Sequence, residues 1–193
     1  MKRIIVLVAS LIIIVGFSIV YPNRSVIPAP AISSDTIVGN IQLYFPREAQ
    51  DPADVIPALY MSATDNIDIA IYSLTHPVIV KAIGDAYKRG VKVRVVTDKI
   101  QAEGNTQKHA INDLLLIGIP VKDNLHSGLM HLKMSIIDGK IATTGSYNYS
   151  NAASNTNDEM FVVIEQQWFA DRCEAEFNRM WDSSEFQALQ INY

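Results

Sequence analysis

Between Ile67 and Asp98 the hydrophobic period of the chain changes twice. The stretch "IDIAIYS", Ile67 to Ser73, alternates apolar and other residues and is rich in isoleucine, which marks a strand. Pro77 to Arg89 carries apolar residues at helical spacing and is closed by Gly90, a helix-ending residue. "VKVRVVTD", Val91 to Asp98, returns to alternation. A strand, a helix and a second strand in this order favour two neighbouring parallel strands joined by a crossover. That unit commits the chain to layers, with helices packed on a sheet.

The remaining segments fit the same plan. Gln42 to Phe45 reads as a short first strand. Asp54 to Ala63 reads as a helix, with Asp51 and Pro52 near its start. Thr106 to Leu116 is a further helix, ended near Gly118 and Pro120. His131 to Ile137 and Lys140 to Thr144 are strands joined by Asp138-Gly139, a tight-turn dipeptide. Met160 to Ile164 is a last strand and Trp168 to Trp181 a last helix. Phe169, Cys173, Phe177 and Trp181 form one stripe of that helix, which we read as core packing. The expected class is α/β, with a mixed, mainly parallel sheet flanked by helices, one domain per chain.

The first residues do not belong to that domain. Lys2 and Arg3 precede an uncharged apolar run of 17 residues, Ile4 to Val20. A basic start followed by an apolar run marks export or anchoring. Residues 1–31 are therefore expected to be a signal peptide, with Ala29-Pro30-Ala31 as the small-residue cleavage site, or an uncleaved membrane anchor. The domain of residues 33–193 would then lie outside the cytoplasm, periplasmic, secreted or membrane-anchored.

Composition limits the chemistry. Apolar residues make up 49% and charged residues 19%, enough for a sizeable core without disorder. The net charge of −4 does not advertise nucleic-acid binding. Loss of Lys2, Arg3 and Arg24 with a leader would leave the domain more acidic still. Lys81, Lys88, Arg89, Lys92, Arg94, Lys99 and Lys108 do crowd together, either as a solvated helix face with strand ends or as a phosphate-facing patch. Cys173 is the lone cysteine, so neither an internal disulfide nor a cysteine-based metal site can form. There is no HExxH and no run of carboxylates at ligand spacing.

The hairpin "HLKMSIIDGKIATTGSYN", residues 131 to 148, carries the chemistry. On a strand, residues two apart share a face, so His131, Lys133 and Ser135 point one way and Leu132, Met134 and Ile136 the other. A turn at Asp138-Gly139 brings Gly145 and Ser146 back level with His131 and Lys133. An ammonium, a hydroxyl, the Asn148 amide and free backbone N–H groups then converge. A helical turn beginning at Ser146 would add its positive end. Such a group describes a phosphate site, with His131 beside it as candidate nucleophile or acid.

This layout resembles the phospholipase D superfamily. Its signature is His-x-Lys, four residues, Asp, six residues, then Gly-Ser-x-Asn. His131, Lys133, Asp138, Gly145, Ser146 and Asn148 meet it without a gap. The similarity extends from about Gln42 to Trp181 and is closest to small single-motif bacterial endonucleases of that superfamily. It implies a metal-independent phosphodiesterase, with no cofactor, working by two displacements at phosphorus. One histidine becomes phosphorylated; a second protonates the leaving oxygen and then activates water. His131 inherits the nucleophile or acid role, and Lys133, Ser146 and Asn148 bind phosphate.

One imidazole cannot attack one side of phosphorus and protonate a group leaving from the other. With a single motif, the resemblance implies a homodimer in which two copies of His131 face each other. The rival is a monomer using His126, His76 or His109. Asp138 lies seven residues from His131, about 23 Å on a strand at roughly 3.3 Å per residue, so despite its place in the catalytic signature we expect it to act at the turn. Glu159 is the candidate to accept from the other imidazole nitrogen. Nucleic acid is the first substrate class and a phospholipid at a membrane the second. A non-catalytic phosphate-binding or dimerisation module is a third reading, which the intact motif disfavours.

Overall fold

The computed structural model describes residues 40–191. The expected leader or anchor, residues 1–31, lies outside the described residues. The elements are β1 (Asn40–Tyr44), a 3₁₀ turn (Pro46–Glu48), α1 (Pro52–Ser62), β2 (Asn66–Ile71), α2 (Pro77–Lys88) and β3 (Lys92–Thr97). Then come α3 (Lys99–Glu103), α4 (Asn105–Leu116), β4 (Val121–Asn124), β5 (Lys133–Ile137) and β6 (Ile141–Gly145). The chain closes with α5 (Asn151–Asn155), β7 (Phe161–Glu165), α6 (Gln167–Asp182) and β8 (Phe186–Ala188).

The strands form one sheet in the order β1-β7-β6-β5-β2-β3-β4-β8. The strand–helix–strand unit pairs β2 with β3 in parallel, as its pattern requires, and β4 continues parallel to β3. Every other pairing is antiparallel: β1 with β7, β7 with β6, β6 with β5, β5 with β2, and β4 with β8. The sheet is mixed, as expected, but mostly antiparallel rather than mainly parallel. The reason is that a parallel neighbour needs a helical crossover. Only the β2–β4 segment supplies such crossovers, whereas β5 and β6 are joined by a three-residue connection, Asp138 to Lys140.

Alternation divides the sheet into two cores. Ile67, Ile69, Ile71, Val93, Val95 and Val121 pack beneath α1, α2 and α4, with Ile56, Ile79, Ile83, Ile111 and Leu114 from the helices. On the other face Ala70, Val96, Met134, Ile136 and Ala142 pack against Ala170, Phe177 and Met180 of α6. The stripe expected on α6 is indeed packing, with Phe169, Cys173 and Trp181 partly buried against that core. Burial pushes the Cys173 thiol pKa up, which keeps it in its neutral, unreactive form.

Arg94 fastens α6 to the sheet. Its guanidinium donates twice to the buried Asp68 carboxylate, both at 2.7 Å, and to Asn178 Oδ1 at 2.9 Å. It lies 4.8 Å from the Phe177 ring centroid and 5.2 Å from that of Trp181. A planar cation that spreads its charge tolerates such half-buried contact with rings better than an ammonium would.

Asp138 and Gly139 take positive φ, 51° and 60°, at the centre of a tight turn that Lys140 N closes on Ile137 O at 3.0 Å. The Asp138 carboxylate accepts from the backbone N–H groups of Thr64, Asp65 and Asn66 and from the Thr64 hydroxyl, at 2.8 to 3.2 Å. Its own N–H donates to Asn66 O at 2.9 Å. The turn is thereby tied to the start of β2. Burial alone would raise the Asp138 pKa, but the donors from Asp65, Thr64 and Asn66 outweigh it and hold it below the ordinary carboxylate value.

At the far end of the hairpin, Gly145 has φ of +135° and pairs with Phe161. A Cβ there would lie 2.1 Å from Met160 O, inside van der Waals contact with backbone. No side chain fits.

Two consequences can be measured. Asp138→Ala should lose about 2–3 kcal/mol of stability near pH 7, read by urea unfolding. A lowered folded pKa stabilises above the ordinary value of 3.8 and ceases to do so as pH falls through the folded value. The gap between wild type and variant should therefore close on acidification; a gap of the same size at acid pH would contradict the carboxylate's role. Gly145→Ala should cost about 3 kcal/mol or more, because both backbone and φ oppose it. A variant as stable as wild type would show that β6 and β7 are free to separate.

Candidate active site

The C-terminal ends of parallel strands are where open α/β sheets gather their sites. Here β2 ends at Ile71, directly opposite Lys133 at the start of β5. Continuing the β5–β6 register, in which Ser135 faces Thr143, sets Gly145 opposite Lys133. The turn at Asp138 thus delivers both ends of the hairpin to one edge. His131, Lys133, Gly145, Ser146, Asn148 and Glu159 line a single open depression of about 420 Å³.

Lys133 is 8% exposed, yet among the described residues it makes no salt bridge. Its ammonium donates to His131 O at 2.9 Å and lies 3.1 Å from each imidazole nitrogen. It stands 4.9 Å from the centroid of the Tyr72 ring. Burial lowers the Lys133 pKa from its ordinary value, and the nearby Glu159 charge works in the opposite direction. A buried cation held only by neutral groups is short of an anion. The Asn148 side-chain oxygen is buried and has no hydrogen-bond partner among the described residues; as an acceptor it lacks a donor.

The remaining residues of the group depart in part from expectation. Glu159 lines the depression, but its carboxylate accepts from the Ser146 hydroxyl and from Asn157 Nδ2, the latter at 3.0 Å. No hydrogen bond joins it to His131 among the described residues. Ser146 Oγ also accepts from Met160 N at 3.1 Å. The backbone N–H groups expected to be free are engaged, since Ser146 N and Tyr147 N both donate to Met160 O. The helical turn does not start at Ser146 either. It begins at Asn151, capped by the Ser150 side chain, which accepts from Ala153 N. Asp138 is remote from the depression and acts at the turn, as its distance along the strand implied.

His131 is exposed, and its ring meets that of Tyr72 with centroids 4.5 Å apart. His126 borders a neighbouring depression of about 430 Å³ that His131 also lines. His76 caps α2, and His109 lies on α4. None of the three reaches the depression that holds Lys133. The cluster of basic residues is largely spent on structure. Lys81 pairs with Asp85, Lys92 with Asp65 and Arg94 with Asp68, and Arg89 donates to Tyr60 O. None of them lines this depression either.

Sequence reasoning did not single out Tyr72, which forms one wall behind the histidine and the lysine. Its position just after β2, at the carboxyl end of a parallel strand, was the available signal. Also missed was a buried set of three hydroxyls under the site. Ser135 Oγ lies 2.7 Å from both Tyr60 Oη and Tyr149 Oη, and burial raises both phenol pKa values. These links join α1 and the segment after Asn148 to β5, two residues beyond Lys133.

The chain and its fold have known relatives. Residues 56–181 match the family model described as "Cardiolipin synthase, PLD-like domain". The chain is 31% identical over 121 residues to a mitochondrial cardiolipin hydrolase of Chlamydomonas reinhardtii, covering 63% of this chain and 53% of that protein. It is 33% identical over 109 residues to a phospholipase D of Rickettsia conorii, covering 56% and 54%. The chain thus spans about half the length of these curated relatives. Among solved structures, Nuc from Salmonella typhimurium, a phospholipase D family member, superposes with a TM-score of 0.74 at 28% identity, covering 79% of this chain and 99% of that one. NucT from Helicobacter pylori gives 0.66 at 26%, covering 75% and 97%. With the family model spanning most of the domain and the fold shared from end to end with Nuc, this chain belongs to the phospholipase D-like family.

Proposed function

We propose that the chain is a metal-independent phosphodiesterase that works through a phosphohistidine on His131. The observation that carries this reading is the buried Lys133 ammonium, with no salt-bridge partner among the described residues, beside an exposed imidazole and within one depression with Ser146 and Asn148. A phosphodiester supplies the missing negative charge. Lys133 and the Asn148 amide would hold its non-bridging oxygens, and Ser146 would join them by releasing Glu159. Charge that builds on those oxygens during displacement is then met by donors already in place, which is where most of the acceleration in such sites arises.

His131 attacks phosphorus, and the ester oxygen leaves from the opposite side. A second imidazole must stand there, and among the described residues no other histidine lines the depression. We therefore propose a homodimer in which the partner copy of His131 acts as acid and then as base. Leu132 and Met160, the chain neighbours of His131 and Glu159, are 38% and 39% exposed and offer apolar surface for that contact. In this reading Glu159 has a phosphate-side role through Ser146, and Asp138 supports the site from a distance.

Nucleic acid is the first substrate class. Its support is the single motif, which resembles that of the small bacterial endonucleases, and the correspondence of fold along nearly the whole of Nuc. A phospholipid is the second, favoured by relatives named cardiolipin hydrolase and phospholipase D and by the apolar run from Ile4 to Val20. An exported or anchored domain would meet either substrate outside the cytoplasm.

Purified protein should cleave plasmid DNA in EDTA and leave phosphatidylcholine vesicles intact. The reverse pattern would move the substrate to the second class while keeping the reaction. His131→Ala should lower kcat on the order of 10³-fold or more; near-wild-type turnover in that variant would remove the site altogether. Sedimentation at micromolar concentration should give a dimer, and a fully active monomer would end the shared-histidine scheme.

A further inference from the structure

The segment that carries His131 is anchored on both sides of it. On one side Met130 N donates to Asp98 Oδ2 at 3.0 Å. On the other, Leu132 O accepts from Tyr72 N at 2.9 Å. The residue between them is left with only its side chain free to move. That side chain meets the Tyr72 ring, whose centroid is 4.5 Å from that of the imidazole and tilted by 57°. The Tyr72 ring is itself fixed at its tip, because Gln101 Nε2 donates to Tyr72 Oη at 3.1 Å.

Gln101 belongs to α3, and α3 begins on Asp98. The other carboxylate oxygen of Asp98 accepts from Ile100 N and Gln101 N, at 3.0 and 3.2 Å. Asp98 is 1% exposed. One buried carboxylate therefore holds the main chain next to His131 and also the helix turn that holds the ring behind His131. The contacts close a circuit: Asp98 to Gln101, Gln101 to Tyr72, Tyr72 to His131, and Met130 back to Asp98. Ala102 packs α3 into the core while Ile100 is 63% exposed, and this seating sets Gln101 against Tyr72.

We propose that Tyr72, Gln101 and Asp98 are positioning residues that set the orientation of the His131 ring, and that the Gln101–Tyr72 hydrogen bond is the contact through which α3 acts on turnover. The inference rests on His131 being the reacting group. An attacking imidazole must present one nitrogen in line with the departing oxygen, and errors of about 1 Å can cost a hundredfold in rate. The Tyr72 ring blocks one side of the imidazole, and Lys133 Nζ approaches it as well. If the ring slides, the histidine side chain follows, while Lys133, which also rests on the ring but is tied to the main-chain His131 O at 2.9 Å, still holds phosphate with Ser146 and Asn148. The effect should fall on kcat and spare KM.

The test is a double-mutant cycle on Tyr72→Phe and Gln101→Met, assayed with bis(4-nitrophenyl) phosphate in EDTA at matched active protein. Both variants keep the packing and remove opposite ends of one hydrogen bond. Each should lower kcat about tenfold with KM within about twofold, and the double variant should be no slower than the slower single one. Thermal midpoints close to wild type would exclude general loosening. Wild-type kcat in either variant, losses that multiply in the double, or a rise in KM in place of the fall in kcat would overturn the proposal. Asp98→Ala should be slower than either, since it releases both anchors; equal or faster turnover would also count against it. His131→Ala separates the two levels. If that variant turns over normally, the site assignment has failed. If it is inactive while Tyr72→Phe and Gln101→Met match wild type, only the positioning circuit has.

Discussion

The donors gathered on the Asp138 carboxylate are the contact on which the placement of everything else depends. A strand that slips by one residue turns every side chain to the opposite face. In β5 that slip would drive Lys133 and Ser135 into the apolar layer under α6 and lift Met134 and Ile136 toward α1. By binding the N–H groups of Thr64, Asp65 and Asn66, Asp138 locks Ile137 beside Ile67, the first pair of the β2–β5 register. Once that pair is fixed, alternation carries the alignment up the strand until Lys133 arrives opposite Ile71. The short turn does the same for β6, setting Ile141 opposite Ile137 and bringing Gly145 level with Lys133.

β2 is also the seam between two kinds of sheet. It pairs in parallel with β3 and antiparallel with β5. The helical half brings the carboxyl ends of its strands, with Tyr72 and Asp98, to one edge. The hairpin half brings its open ends, with His131, Ser146 and Asn148, to the same edge. The site forms where these edges adjoin, so neither half contains it. Lys133, the first residue of β5, sits at the junction, touching His131 two residues before it and the Tyr72 ring just after β2. Its burial makes it a strong attractor for an anion, because a charge poorly served by water gains more from a partner than an exposed one does.

Much of this was readable from residues close together in the chain. The changes of period across Ile67 to Asp98 marked β2, α2 and β3, and Asp138-Gly139 marked the hairpin. The spacing of His131, Lys133, Ser146 and Asn148 marked the depression they line. What escaped was short or distant. β4, "VKDN", and β8, "FQA", are too brief and polar to show a period. The pairing of β1 with β7 joins residues more than a hundred positions apart. The excess of antiparallel pairs was missed for that reason, since the one crossover visible in sequence suggested the whole sheet. Tyr72, Gln101 and Asp98 gave no local hint either, because their shared feature is proximity to His131. Glu159 was visible as a carboxylate near the site, but its choice of Ser146 over His131 depends on side-chain geometry that spacing does not fix.

Asp138 also shows how one sequence signature can mix two kinds of requirement. It stands among the residues of the catalytic signature, yet its oxygens face Thr64, Asp65 and Asn66, at the end of the hairpin away from the depression. Its loss would leave each reacting group chemically intact while weakening the alignment that assembles them. Such damage is graded by temperature and solvent. An allele altered there would behave as conditional, working in the cold and failing in warmth, whereas under the proposed mechanism one altered at the imidazole would fail in both.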